Sequence, residues 1–294
     1  MNKNGIIAII VVLILVIAGV AVAAWQLTGN DDNDDKEAVT IKVGAASSLR
    51  YALEDLKPIY LDETGNTLEL SLQSSGTIVN SILGDEGVYD IFISADKANM
   101  DKILAGTESN GSKFTDGPTN LLTNTLSIVI NNQAKERYGW TDSDFEDISK
   151  FADLLSNSVH GADTISLALG NSSVPAGEYA RHYLNDKGVY SSLTSSSKID
   201  IVEHSSVANV TAAVSTGSAD IAFVFTSDAL SISGTTVIVK TLTWADTGDI
   251  IYPACVINNS NGVHSQSKEF LDWLGSSNKA HEVFEKYGFG VYSH

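Results

Sequence analysis

Beyond Ala38 the chain alternates between two hydrophobic periods. Residues 39–43 are short and β-branched, and Leu49, Leu53, Leu56 and Tyr60 then recur at helical spacing. Residues 68–72 predict a strand, Ile78 and Ile82 share a helix face, and residues 89–94 predict a strand again. The alternation continues through strand-like runs at 126–130, 165–169, 199–202 and 221–225. Residues 268–287 predict a helix, with Phe270, Leu271, Trp273, Leu274, Val283 and Phe284 as its buried anchors. Such β-α alternation predicts an α/β body with mainly parallel sheets covered by helices. There is no repeat of fixed period.

The front of the chain differs from the rest. Residues 5–25 carry no charge, long enough for a helix across a bilayer, which needs about 20 apolar residues. Lys3 precedes this run, while Asp31, Asp32, Asp34, Asp35 and Glu37 follow, so the positive-inside bias puts the body outside the cytoplasm. Two readings fit, an uncleaved anchor and a signal peptide cut near Ala21-Val22-Ala23-Ala24. The apolar run exceeds the usual 7–15 residues of a signal core, which favours the anchor. No cysteine stands here for lipid attachment, so the helix is the visible tether. Residues 1–29 are therefore read as signal or anchor, and 30–38 as a solvated acidic linker.

Composition narrows the function. The 294 residues carry 36 acidic against 18 basic side chains, a formal net charge of -18. A nucleic-acid backbone would be repelled. An anion could still bind, provided local donors overcome the global field, which salt screens within about 8 Å. The one cysteine, Cys255, lies in an apolar stretch and reads as a buried small hydrophobe; a disulfide within the chain and cysteine-rich metal sites are excluded.

Four strand-to-helix junctions carry small hydroxyl residues where a helix should begin: Ala45-Ala46-Ser47-Ser48, Gln73-Ser74-Ser75-Gly76-Thr77, Ser172-Ser173-Val174-Pro175-Ala176-Gly177 and His204-Ser205-Ser206-Val207. Each offers an N-cap candidate, and Pro175 suits a first helical position. Helix N-termini expose unpaired N–H groups and partial positive charge, so they hold anions without a cationic side chain. In open α/β sheets these junctions lie at the carboxyl ends of strands, where ligands bind. A serine before a helix is ordinarily just a cap, so the pattern raises an anion site without deciding it.

Catalytic patterns are missing. There is no Gly-x-Ser-x-Gly elbow and no phosphate-binding Gly-x-x-x-x-Gly-Lys-Ser/Thr loop, and His281-Glu282 lacks the second histidine of a metalloprotease. Asp90 and Asp96 read as turn and cap residues, and His204 as a surface or supporting residue. The sequons at Asn110, Asn171, Asn209 and Asn258 are short enough to arise by chance.

At the same junctions the chain resembles the periplasmic molybdate-binding proteins of ABC transporters, over about residues 41–288. The resemblance is carried by Ala45-Ala46-Ser47-Ser48-Leu49, Ser74-Ser75-Gly76-Thr77 and Tyr89-Asp90-Ile91-Phe92-Ile93-Ser94-Ala95-Asp96. Val174-Pro175-Ala176-Gly177-Glu178-Tyr179-Ala180 is its most specific segment, supported by Phe225-Thr226-Ser227-Asp228-Ala229 and Phe284-Glu285-Lys286-Tyr287-Gly288-Phe289. It implies a two-lobe periplasmic-binding-protein fold with a two-strand hinge. Lobe 1 would comprise residues 39–124 and 251–294, and lobe 2 residues 125–250.

The resemblance further implies that Ser48 and Ser75 donate to one oxyanion from the first lobe. Ala176 and Val207 would donate backbone N–H groups from the second. Ser47 and Ser74 adjoin these donors. The family places a tyrosine hydroxyl where this chain has Phe225, so one donor is lost. The implied ligand is molybdate or tungstate, with molybdenum held as its oxyanion, no free metal cation and no cofactor. The implied partners are an ABC permease with its ATPase, and the implied location is the outer face of the cell membrane, as a monomer. Two other readings stand beside this one: a surface receptor that senses sulfate or another small ligand, and an extracellular hydrolase using Ser48 or Ser75 as nucleophile.

Overall fold

The computed structural model describes residues 38–84, 89–110, 114–259 and 261–292. The expected anchor and acidic linker lie outside these residues, apart from Ala38. Among the described residues no helix is long and apolar enough to cross a membrane.

The first half opens with β1 (Thr40–Ala46), a 3-10 turn (Ser47–Leu49) and α1 (Arg50–Thr64). Leu49, Ala52, Leu53, Leu56 and Tyr60 are all buried, as their spacing requires. Gly65 then ends the helix at φ 74, and its N–H donates to the Leu61 carbonyl at 2.8 Å. That left-handed position is cheap only for glycine. There follow β2 (Thr67–Gln73), α2 (Ser75–Leu83), β3 (Ile91–Ile93), α3 (Lys97–Asn110) and β4 (Phe114–Asn124).

From Asn124 the chain passes through Thr125 directly into β5 (Leu126–Asn131) and a second set of elements. These are α4 (Asn132–Tyr138), α5 (Phe151–Ser158), β6 (Ile165–Gly170), α6 (Pro175–Asp186), α7 (Tyr190–Ser195), β7 (Ile199–His204), α8 (Val207–Ser215), β8 (Ile221–Phe225), α9 (Thr226–Ser231) and β9 (Thr236–Thr241). After the short α10 (Trp244–Thr247) the chain returns through β10 (Ile250–Ile257), α11 (His264–Ser276), α12 (Asn278–Lys286) and β11 (Gly290–Val291).

Two sheets result, one per lobe. The first has the order β11-β4-β10-β3-β1-β2 and the second β7-β6-β8-β5-β9. The chain thus crosses between lobes twice, once at Thr125 and once between β9 and β10. The parallel character expected from the alternation holds for β2-β1-β3 and for β7-β6-β8. It fails at the crossings. Strand β10 is antiparallel to both β3 and β4, and β5 is antiparallel to both β8 and β9. A strand that enters or leaves a lobe has no crossover helix to reverse its direction, so it pairs antiparallel.

Strand β10 is buried along its whole length although it contains Pro253. The register with β4 shifts between Tyr252 and Pro253, which removes the need for a ladder donor there. Its side chains alternate by face. Ala254 and Val256 join the main core with Ile91 and Ile93, while Cys255 and Ile257 face Phe92, Ile78, Ile82 and Met100. Cys255 is fully buried, and burial pushes its thiol up to about 12, so it packs as an apolar group.

The helix expected over 268–287 is two helices. Ser277 takes an extended conformation (φ -76, ψ 123), and its side chain accepts from the Ala280 N–H at 3.4 Å. A serine able to cap competes with continuing the helix. The second segment can therefore turn and seat Phe284 in the core, while Trp273 and Val283 remain half-buried.

Candidate functional site

Every junction singled out in the sequence lies at the carboxyl end of a parallel strand. Ala46 at the end of β1 pairs with Gln73 at the end of β2, and Gly170 at the end of β6 pairs with His204 at the end of β7. Within a lobe the junctions are therefore neighbours. Residues from both lobes line one small cavity of about 10 Å³: Ser47, Ser48, Ser74 and Ser75 from the first, Val174, Val207 and Phe225 from the second. A space near the size of one water is too small for a sugar or a peptide. The lobes meet at its edge, since a Cβ on Gly76 would stand 3.1 Å from the Ser173 carbonyl oxygen.

Six of the seven candidate residues line this cavity. Ala176 does not, although Val174 and Pro175 on the same turn do. It is fully buried one residue inside α6, where its N–H has no intrahelical acceptor.

The capping roles divide unevenly among the junctions. Ser74 caps α2, its Oγ accepting from the Thr77 N–H at 3.2 Å. Ser206 caps α8 by accepting from the Asn209 N–H at 3.2 Å. The other two expected serine caps are not formed. Helix α6 begins after Val174 with Pro175 in its first position, because Asn171 Oδ1 has taken the Ser173 N–H and hydroxyl into a local turn. Ser47 and Ser48 lie inside the 3-10 turn, with no side-chain cap bond there.

The two lobe 1 candidates that are not caps have other partners. Ser75 is fully buried, and its Oγ accepts from the Ala95 N–H at 3.0 Å. Ser48 Oγ lies 2.9 Å from the hydroxyl of Tyr252, a fully buried side chain on β10. Burial raises the Tyr252 phenol well above its ordinary range, so it stays protonated. The sequence pattern offered no sign of Ala95 or Tyr252 as supports: Tyr252 sits inside an apolar strand 204 positions from Ser48.

Phe225 lines the cavity edge-on to Tyr179 and Tyr252, with ring centroids at 6.4 and 5.9 Å. No hydroxyl is offered there. One turn further on, Asp228 is almost fully buried, and its Oδ2 has no hydrogen-bond partner. Burial pushes its carboxyl up to about 7, with Arg50 pulling weakly the other way.

No acidic residue lines the small cavity; its polar groups are hydroxyls, the Gln73 amide and backbone. A larger space of about 260 Å³ between Asp96, Lys97, Glu178, His182 and Asp249 has the opposite character. Its three carboxyl groups make a poor surround for an anion. Asp96 caps α3 through the Asn99 N–H at 2.5 Å, the role its setting suggested. Asp90 is instead a tertiary tie and not a turn or cap residue: it accepts from the Lys42 N–H at 2.7 Å and from the Asn259 and Asn261 side-chain amides at 2.8 and 2.7 Å. Among the described residues no group of three or more His, Cys, Asp or Glu side chains could hold a metal ion.

The family described as bacterial extracellular solute-binding protein matches residues 41–290. The molybdate-binding protein ModA of Escherichia coli is 29% identical over 274 residues, covering 92% of this chain and 95% of ModA. YvgL of Bacillus subtilis, named as an ABC transporter substrate-binding lipoprotein, is 28% identical over 265 residues, covering 89% of this chain and 90% of its own. Among solved structures, the periplasmic molybdate-binding protein of Azotobacter vinelandii superposes with a TM-score of 0.67 at 22% identity, covering 86% of this chain and all of that one. That superposition shows the two-lobe fold.

Proposed function

Because the chain belongs to the bacterial extracellular solute-binding proteins, a family of binding receptors and not of enzymes, we propose that it serves an ABC importer by capturing a tetrahedral oxyanion, molybdate or tungstate. One observation carries the reading. The small cavity between the lobes gathers hydroxyls and helix N-termini, and no carboxylate faces it. A fully ionised dianion asks only for donors, and a carboxylate there would meet it as a like charge. Hydrogen phosphate carries a proton at neutral pH and would need an acceptor.

In this reading Ser48 and Ser75 donate from the first lobe, with Ser47 and Ser74 beside them. Ala176 and Val207 donate backbone N–H groups from the second lobe, at the starts of α6 and α8. These are ordinary helix-terminus donors for an anion, strengthened by the helix dipoles. Thr125 and the β9–β10 connection act as the two hinge segments, about which the lobes must part to admit the ion. The loaded receptor docks, as a monomer at the outer membrane face, on a permease driven by its ATPase.

Sulfate shares the charge and shape of molybdate, so donor chemistry alone does not separate them. The similarity to ModA favours molybdate. Calorimetric titration of the purified residues 39–294 with molybdate, tungstate, sulfate and phosphate in one buffer tests the proposal. One-to-one binding of molybdate and tungstate, with sulfate weaker and phosphate weakest, is expected. Silence toward all four anions, or preference for phosphate, would overturn it.

A further inference from the structure

We propose that Asn124 and Tyr252 are positioning residues that set the direction of the Ser48 hydroxyl and thereby select proton-free anions. The inference rests on the oxyanion reading above. It starts at a backbone group whose polarity is not in question. The Thr125 N–H can only donate, and it lies 2.8 Å from Asn124 Oδ1. This fixes the amide, so Asn124 Nδ2 is the end that faces Ser227 Oγ at 2.9 Å and Tyr252 Oη at 3.2 Å. An amide nitrogen has two protons and no lone pair to offer. It therefore donates one proton to each oxygen.

Tyr252 Oη thus accepts from Asn124, and its own proton needs an acceptor. The tyrosine is fully buried, and its other hydrogen-bonding neighbour is Ser48 Oγ, at 2.9 Å. The phenol proton goes there. Ser48 Oγ then has one lone pair occupied, and its proton is what the hydroxyl turns toward the cavity it lines. The result is a one-way chain from the Asn124 amide, through the Tyr252 phenol and the Ser48 hydroxyl, into the cavity. Ser75 has the same polarity by a shorter route, since its Oγ accepts from the Ala95 N–H at 3.0 Å.

The chain also touches the second lobe. Asn124 is the last residue of β4, at the first crossing between lobes, and its other donated bond reaches Ser227 at the start of α9. Both supports are buried: Asn124 is 8% and Ser227 3% exposed. Water therefore does not compete for these bonds, and the direction of the chain is held. Without Tyr252 the Ser48 hydroxyl turns freely and can accept as readily as donate. An anion bearing its own proton then becomes acceptable.

The test compares molybdate and phosphate affinities, by calorimetry and competition, in wild type, Tyr252→Phe, Ser48→Ala and the double variant. Tyr252→Phe should weaken molybdate about three- to tenfold while leaving phosphate unchanged or tighter, so the selectivity ratio shrinks. In the Ser48→Ala background, Tyr252→Phe should have no further effect, because the tyrosine acts only through Ser48. A merely structural tyrosine would weaken both anions together and would do so in either background; either result overturns the proposal. If thermal unfolding shows that Tyr252→Phe does not fold, Asn124→Ala puts the same question one bond back, and an unchanged selectivity ratio there overturns it. Failure of wild type to bind any oxyanion sinks the functional reading and this one with it. Normal wild-type binding with an unaffected Tyr252→Phe sinks only the chain through Asn124 and Tyr252.

Discussion

Gly177, in the first turn of α6, lies so close to the carbonyl of Gly170, at the end of β6, that a Cβ on Gly177 would overlap the Gly170 backbone. The contact joins the strand end to the helix start across the loop that carries Val174, Pro175 and Ala176. The obstruction is backbone and cannot rotate away. Gly177→Ala should therefore push α6 off β6, costing about 1–3 kcal/mol as an overpacked site. The turn that brings Val174 to the cavity should shift with it. Urea unfolding and molybdate titration of the variant should both show a loss. Wild-type stability would mean the junction yields more easily than its packing indicates.

Ser75 has two duties, and its alanine variant should separate from that of Ser48. Removing the Ser75 hydroxyl leaves the Ala95 N–H buried without its acceptor, at a cost of about 1–3 kcal/mol in stability. It also removes a donor to the anion, so affinity should fall roughly tenfold or more. Ser48→Ala should lose similar affinity but less stability. The Tyr252 hydroxyl keeps the bond it accepts from Asn124 and loses only the acceptor of its own proton, and an O–H can rotate where the Ala95 N–H is fixed. Thermal melts beside calorimetry check both. Wild-type molybdate affinity in both variants would remove these serines from the site.

Phe225→Tyr restores a hydroxyl at the position where the resemblance expects one. The Phe225 ring is 1% exposed and lines the cavity, so the new group enters a nearly closed space. If its oxygen reaches the anion, a charge-assisted bond should tighten molybdate binding by roughly fivefold. A water already bridging that position would make the gain smaller. Weaker binding in the same salt would show a cavity rebuilt around phenylalanine.

Asp228 makes the stability of the protein depend on pH. Its carboxyl is raised to about 7 in the fold, against an ordinary value of about 3.9 in the unfolded chain. Between these values the folded state holds a proton that the unfolded state has released. The contribution of Asp228 is thus fully present below about pH 4 and is lost as pH rises through about 7, by up to about 1.4 kcal/mol per unit. Asp228→Asn keeps the shape and cannot ionise. Its urea midpoint should match that of wild type near pH 4 and exceed it at pH 8. Parallel pH curves for the two proteins would show that Asp228 ionises normally in the fold.

The sequence alone determined what depends on neighbours within a turn or two. The helical spacing from Leu49 to Tyr60, the caps at Ser74 and Ser206 and the proline start of α6 are local contests between backbone and side chain, and residue type decides them. The alternation of strands and helices likewise placed four hydroxyl-rich junctions at strand ends. Tertiary structure decided the rest. The return of β10 set it antiparallel to β3 and β4 in the first sheet, and the entry of β5 did the same against β8 and β9 in the second. A register shift let Pro253 sit inside a buried strand. Ser277 broke the last helix so that Phe284 could reach the core. Ser48 meets Tyr252 across 204 positions, and Asn124 meets Ser227 across 103. No local period encodes such pairs, because the direction of a buried hydroxyl is set by whichever donor the folded chain brings beside it.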